Sequence, residues 1–236
     1  MTGQTLPIEL HYWSTPNGRK ISVMLEELAV PYDVTFVDIG KREQWTAEFG
    51  TVSPNHQIPA IRDPEGPGGQ PITIFESGAI LLYLARKFGR FHPLGDERKR
   101  VAVEEWLMWQ VASFGPFLGQ AHHFNLAAAE EVPYAIDRYF RIAERLYRVL
   151  DERLTGRAHV AIDEYSIADI AMFPWVARHE RQRIDLGRYP AVAAWFERIG
   201  ARPAVKRGMA IIKPGHDDRA RLNPARTAST SRAASS

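Results

Sequence analysis

The chain has 236 residues, of which 45% are hydrophobic and 25% charged, and this balance is typical of a globular protein with a substantial core. The net charge of +2 does not indicate a nucleic-acid-binding surface, and no run of roughly 18 apolar residues predicts a membrane span. Because the sequence has no cysteine, it contains no disulfide, no thiolate metal site and no thiol nucleophile of its own. The N-terminus lacks a signal-peptide pattern, and we expect a cytoplasmic protein.

The first part of the chain, residues 1–88, mixes strands with helices. Alternating apolar residues, or β-branched and aromatic runs, predict strands, and apolar residues at helical spacing predict helices. The predicted strands are 8–13, 32–39, 58–63 and 71–75, and the predicted helices are 17–29 and 76–89. This order indicates a small sheet that contains a hairpin and is covered by helices.

The second part, residues 97–212, carries almost no strand pattern. Helices are predicted over 97–125, 133–155, 167–181 and 190–200, so we expect an all-helical domain. The stretch "RFHPLGDE" before it reads as a linker. Residues 213–236 are rich in Ala, Ser, Arg and Pro, and we expect a mobile tail.

The stretch Thr15-Pro16-Asn17-Gly18 opens the first helix and has two interpretations. Thr or Asn is common as an N-cap, with Pro at the first helical position. Equally, the unpaired N–H groups of a helix N-terminus stabilise an anion and lower the pKa of a thiol held there. The Thr15 hydroxyl and the Asn17 amide would then donate to a sulfur that has to arrive with a ligand.

Two further motifs have both a structural and a binding interpretation. Pro59 before a short strand marks an edge or turn, or a cis peptide bond that exposes the backbone of Ile58 to a bound peptide. Ser77 either caps the helix after it, with Glu76 just outside, or binds a carboxylate while Glu76 meets an ammonium group. A small peptide with a thiol, a carboxylate and an ammonium satisfies all three motifs, and glutathione is such a peptide.

Two motifs of the helical part have simpler interpretations. His122 and His123 would point about 100° apart on a helix, which suits metal binding poorly. We therefore expect no metal site. We expect His122, His123 and Phe124 to form a wall of the pocket for a second substrate. Ser166 and Asp169 form a capping box, which predicts a folding determinant and not a catalytic element.

The combination of "STPNG", "SPNHQIPAI", "FESGAILLYLA", "GPFLGQAHHFN", "PYAIDRY" and "YSIADI" resembles the cytosolic glutathione transferases, and most closely their bacterial Nu class. The likeness covers roughly residues 8–210. It implies an α/β thioredoxin-like N-terminal domain, an all-α C-terminal domain and a homodimer.

The resemblance also implies roles for individual residues. Thr15 and Asn17 occupy the position where other classes carry a catalytic Tyr, Ser or Cys. The implied glutathione-binding residues are Gln44, Ile58, Pro59, Glu76, Ser77 and Arg138, and Glu105 is expected to face the partner subunit. Tyr12 is an alternative donor to the thiolate, but strand alternation points it towards the core.

The implied activity is glutathione-dependent reduction of disulfides, or transfer of glutathione to electrophiles, with a small-molecule disulfide or electrophile as second substrate. Two glutathione molecules or the glutathione disulfide are the expected ligands. The alternative is a glutathione-binding regulatory protein with little turnover, which the long Ser- and Ala-rich tail favours.

Overall fold

A mixed sheet with the order β2-β1-β3-β4 organises the first domain of the computed structural model, which describes residues 6–216. The strands are β1 Ile8–Tyr12, β2 Tyr32–Phe36, β3 Ala60–Asp63 and β4 Ile72–Phe75. β1 runs parallel to β2 and antiparallel to β3, and β3 pairs antiparallel with β4. Each predicted strand is present, and the thioredoxin-like fold that the resemblance implies is confirmed.

The helices of this domain are α1 Pro16–Leu28, α2 Ala47–Val52 and α3 Ser77–Phe88. Helix α1 is buried on nearly every side, because the sheet, α3 and helices of the second domain all pack against it. As a consequence, polar side chains such as Lys20 and Ser22 are buried together with the apolar face that the sequence predicts.

The second domain is helical throughout the described residues, as predicted. Its helices are α4 Glu97–Trp109, α5 Gly115–His122, α6 Pro133–Leu154, α7 Ile167–Val176, α8 Pro190–Gly200 and α9 Pro203–Ala210. The predicted helix over 97–125 contains π-helical turns at Gln110–Phe114 and His123–Ala127, on either side of α5. Within residues 6–216, no helix is both long and apolar enough to span a bilayer.

Helix α7 begins with the predicted capping box. Ser166 accepts from the backbone of the first turn, and the Asp169 carboxylate accepts from the Ser166 N–H at 3.1 Å. Asp169 also accepts from Val160 N and from the Trp195 indole, each at 2.9 Å, so it joins three segments. The helix ends at Val176, earlier than predicted, and a 3₁₀ turn over His179–Gln182 follows.

Helix α9 is not among the predicted elements, and it fixes α1 from the other side. Ser22 Oγ donates to the Gly208 carbonyl at 2.8 Å, and a Cβ at Gly208 would lie 2.6 Å from Val23 Cα. Two ion pairs, Arg202 with Glu27 and Arg207 with Glu26, join the same two helices. This close approach explains why a short helix forms there.

The chain then returns to the first domain. Lys213 lies over the Trp13 ring at 5.6 Å, and the His216 ring lies 4.7 Å from it. The predicted mobile tail therefore begins with residues that pack, and its remainder, residues 217–236, lies outside the described residues.

Candidate functional site

A groove runs along the ends of α1 and α3 where the second domain meets the first. It consists of two adjoining cavities that share Asn17, Gln57 and Ile58. The larger, about 380 Å³, is lined by residues that include Thr15, Asn17, Gln44, His56, Ile58 and Trp175. The smaller and more polar one is lined by residues that include Asn17, Ser53, Ile58, Pro59, Glu76 and Ser77. The groove thus brings together the predicted residues of the first domain.

Thr15 caps helix α1. Its Oγ1 accepts from Gly18 N at 3.2 Å, and Pro16 is the first helical residue, as the structural interpretation of this motif predicts. A hydroxyl that accepts one hydrogen bond still has its own proton to donate. Capping and donation to a ligand in the groove are therefore compatible at Thr15.

Asn17 is held by the second domain. The Trp175 indole N–H donates to Asn17 Oδ1 at 3.0 Å, across 158 positions of sequence. An indole nitrogen only donates, so this bond fixes the amide oxygen towards Trp175 and leaves the amide nitrogen as a donor for a ligand. Sequence reasoning missed Trp175, because the capping box gave its helix a sufficient structural explanation.

Trp175 is itself supported from behind. The His122 ring stacks on it with centroids 5.7 Å apart, and Gln182 Nε2 donates to the Trp175 carbonyl at 2.9 Å. The Gln182 amide is in turn fixed by the buried Tyr147 hydroxyl, which donates to its Oε1 at 2.7 Å. Burial, together with Arg181 and Arg178, lowers the pKa of His122 to about 3, so His122 is neutral near pH 7.

None of the three residues predicted as a second-substrate wall lines either cavity. His122 packs against Trp175, His123 is exposed, and Phe124 stacks on Tyr139 at 5.4 Å. Successive residues of a helix point about 100° apart, so the three side chains do not share one face.

The turn before β3 supplies backbone and amide groups. The Ile58-Pro59 peptide bond is cis, as predicted, and Ile58 lines both cavities. Gln44 Oε1 is buried without a hydrogen-bond partner among the described residues, which marks it as an acceptor for a ligand donor. His56 was not predicted. Its Nδ1 lies 2.8 Å from the Gln44 carbonyl oxygen and holds this loop in place.

Helix α3 begins without a side-chain cap. Glu76 stands at the N-cap position with φ 69°, a value uncommon outside glycine, and its side chain is exposed. Ser77 is the first helical residue, so of its two interpretations the structural one, in which Ser77 caps the helix, is wrong. Ser77 Oγ instead accepts from the buried Lys20 Nζ at 3.1 Å. Both Glu76 and Ser77, at the start of α3, line the polar cavity.

Lys20 is a further residue that sequence reasoning missed. Its Nζ also donates to Gln110 Oε1 of the second domain at 2.5 Å. Burial lowers the pKa of Lys20 to about 7, against the raising effect of Glu76. A lysine in an amphipathic helix is usually exposed, but this one is covered by residues of both domains, Ser77 and Gln110 among them.

Three further predicted residues lie outside the two cavities. Arg138 is exposed on α6, and Glu105 is exposed on α4. The Tyr12 ring is fully buried, and its hydroxyl donates to the Ile211 carbonyl at 3.0 Å, so Tyr12 is directed to the core as predicted. Within residues 6–216, no group of three His, Asp or Glu side chains is arranged to hold a metal ion.

Comparison with known proteins agrees with this geometry. The glutathione S-transferase N-terminal domain model matches residues 15–87, and the C-terminal domain model matches residues 116–203. The chain is 52% identical to the disulfide-bond oxidoreductase YfcG of Escherichia coli over 208 residues, which are 87% of this chain and 95% of that protein. It is 42% identical to the E. coli disulfide-bond oxidoreductase YghU, over 87% of this chain and 75% of that protein.

Solved structures show the same fold. A glutathione transferase from Pseudomonas putida with one glutathione disulfide bound per subunit matches with a TM-score of 0.83 and 42% identity, over 89% of this chain and 92% of that one. A family member from Pseudomonas fluorescens with two glutathione molecules bound matches with a TM-score of 0.81 and 42% identity, over 86% and 92%. The predicted family is therefore confirmed, and this chain belongs to the glutathione transferases.

Proposed function

We propose that this chain is a glutathione-dependent disulfide-bond reductase that uses the thiolate of bound glutathione as its nucleophile. The observation that carries the proposal is the Asn17 amide at the junction of the two cavities, fixed by the Trp175 indole at 3.0 Å. The names of the E. coli relatives YfcG and YghU, and the glutathione and glutathione disulfide in the Pseudomonas structures, support the same activity.

The groove offers a matching group for each end of the peptide. In this proposal the α-carboxylate of the γ-glutamyl residue meets Ser77 and the open N-terminus of α3, and its ammonium meets Glu76. The backbone of Ile58, after which Pro59 turns the chain, pairs with the cysteinyl residue, and Gln44 Oε1 accepts from a ligand N–H. The thiol then lies at Asn17 and Thr15.

The chemistry is two successive thiol–disulfide exchanges. The bound thiolate attacks one sulfur of the substrate disulfide, which forms a mixed disulfide and releases the other half as a thiolate. A second glutathione thiolate attacks the mixed disulfide at its glutathione sulfur, which yields glutathione disulfide and the second substrate thiolate. Two electrons pass from two glutathione molecules to the substrate, so no cysteine of the protein is needed.

We place the second glutathione or the substrate in the larger cavity, next to Asn17. We propose that Arg138 contacts that molecule. The exposed position of Arg138 on α6 leaves it able to meet a ligand that protrudes from the groove. The same thiolate would also attack small electrophiles, so a transferase activity is part of the proposal.

The experiment is turnover of 2-hydroxyethyl disulfide with glutathione and purified protein. We expect glutathione-dependent reduction by the wild type, and a fall of about tenfold at pH 7 in Asn17→Ala. Absence of reduction by the wild type, with glutathione bound, would instead favour the regulatory alternative. Most of the tail that suggested that alternative, residues 217–236, lies outside the described residues.

We also propose a homodimer that works in the cytoplasm, with Glu105 facing the partner subunit. Val101 and Met108 of α4 are 44% and 46% exposed, and their spacing puts Glu105 on the same stripe of the helix. Exposed apolar side chains in one stripe are typical of a buried interface. Sedimentation at micromolar concentration tests this: we expect a dimer for the wild type and a monomer for Met108→Glu.

A further inference from the structure

The environment of Lys20 is unusual for a lysine. The residue is 1% exposed, and its ammonium group donates to two neutral oxygens, Ser77 Oγ at 3.1 Å and Gln110 Oε1 at 2.5 Å. No carboxylate of the described residues lies within hydrogen-bonding distance of this ammonium group. The charged group that acts on it, Glu76, is exposed on the turn before α3. A buried charge without a counter-ion is costly, which is why burial lowers the pKa of Lys20, and an anion bound close to the ammonium group would offset that cost.

The neighbours of Lys20 are arranged around its charge. Gln110 is fully buried and turns its Oε1 to Lys20, although this leaves its Nε2 buried without a partner. Ser77 Oγ accepts from Lys20, so the Ser77 hydroxyl has to donate its own proton in another direction, and Ser77 lines the polar cavity at the start of α3. A carboxylate bound at the open N-terminus of a helix can accept from this hydroxyl as well as from the backbone N–H groups.

We propose that Lys20 is a positioning residue of the glutathione site, whose ammonium orients the Ser77 hydroxyl and supplies the counter-charge for the α-carboxylate of the γ-glutamyl residue. This inference rests on the proposed function, because it assumes that glutathione binds in the groove. It adds that recognition of the carboxylate depends on a cation beneath Ser77, and that Gln110 of the second domain holds that cation.

The test compares two ligands by calorimetry, neither of which has a free thiol. One is S-methylglutathione, and the other is the same molecule with γ-aminobutyryl in place of γ-glutamyl, which lacks only the α-carboxylate. We expect the wild type to prefer S-methylglutathione, and Lys20→Met to reduce that preference about tenfold while the affinity for the analogue changes little. An equal loss of affinity for both ligands would show a merely structural role and overturn the inference.

Lys87→Met is the matched control. It removes an ammonium group that donates to Asp63 at 2.5 Å in the same domain, away from the groove. The preference for S-methylglutathione should stay unchanged in this variant, even though it loses an ion pair. A reduction equal to that in Lys20→Met would overturn the inference.

The native protein supplies a second measurement if Lys20→Met does not fold. Because the pKa of Lys20 is about 7, its charge is largely lost between pH 6 and pH 7.5, and the preference should fall about fourfold over that range. The carboxylates of both ligands stay ionised throughout. A preference that is constant with pH contradicts the inference alone, whereas failure of the wild type to bind S-methylglutathione contradicts the proposed function as well.

Discussion

Helices α1 and α3 both begin at the groove, but they begin differently. At α1 the Thr15 side chain accepts from the first turn, so part of the positive end of the helix is satisfied within the chain. At α3 no side chain caps the first turn, and the side chain of the first helical residue, Ser77, accepts from the buried Lys20 instead. In the proposed site this difference gives the two helices different tasks: α3 binds a permanent anion by its open N-terminus, while α1 offers a thiol a specific donor, Asn17.

The largest effect is expected at the start of α3. Ser77→Ala removes a hydrogen bond to a carboxylate, a bond that contributes about 1.5–3 kcal/mol, so the KM for glutathione should rise roughly 10- to 100-fold. The kcat at saturating glutathione should change little, because the thiol end is untouched. Steady-state kinetics of disulfide reduction measure both. A loss confined to kcat would contradict the division between the two helix starts.

A smaller effect on the rate is expected from Trp175, which fixes the Asn17 side chain of α1. Trp175→Phe keeps the aromatic ring but removes the N–H that fixes the Asn17 amide. The amide is then free to turn its oxygen towards the sulfur, and we expect the rate at pH 7 to fall about threefold to fivefold, with the affinity for glutathione unchanged. Trp109→Phe, in the same domain but away from the groove, serves as control. Equal rates in the two variants would mean that Trp175 does not position Asn17.

Variants of Thr15 distinguish its role as a helix cap from a role in catalysis. Thr15→Val loses the cap, and the free energy of unfolding should fall by about 1 kcal/mol, whereas Thr15→Ser keeps both functions. If Thr15 also donates to the sulfur, Thr15→Val lowers the rate at pH 7 about twofold to threefold. Loss of stability without loss of rate would leave Thr15 as a cap only, with Asn17 as the sole side-chain donor.

The smallest effect on turnover is expected for His122→Phe, which keeps a ring against Trp175. The variant is expected to change how much stability the protein loses at acid pH. The folded pKa of about 3 is below the unfolded value of about 6.5, so the unfolded state binds more protons between these values, and stability is lost as the pH falls through that window. His122→Phe should therefore lose less stability on acidification than the wild type. Urea unfolding at pH 7 and pH 4.5 measures this, and parallel losses in both proteins would contradict it.

The features that the sequence predicted well are local. Strand and helix periods and the capping box at Ser166 are determined by neighbours in sequence, whereas the cis bond at Ile58-Pro59 was predicted from the family resemblance and the need for an exposed Ile58 backbone. Two of the residues it missed depend on contact between the domains. Trp175 donates to a partner 158 positions away, and Lys20 donates to Gln110 of the second domain. Helix α9 depends similarly on a close approach to α1.

The predicted site residues divide in the same way, into those that local sequence marks and those that depend on the fold. Residues near the two helix starts were identified because cap motifs and charged side chains mark such positions in sequence. His122, His123 and Phe124 were grouped by sequence proximity, but successive residues of a helix point in different directions, and it is His122 that packs against Trp175.

The most direct test of the account is the pKa of the thiol of glutathione bound to the protein, measured by ultraviolet absorbance of the thiolate across a pH titration. A free thiol has a pKa of about 8.5, and we expect the wild type to lower it by about two units, equivalent to about 2.7 kcal/mol. One charge-assisted hydrogen bond from Asn17, with the remaining field of the α1 N-terminus, is sufficient for this. Asn17→Ala should bring the pKa back to within about one unit of the free thiol at unchanged affinity for glutathione. The same bound pKa in the wild type and in Asn17→Ala would contradict the central claim.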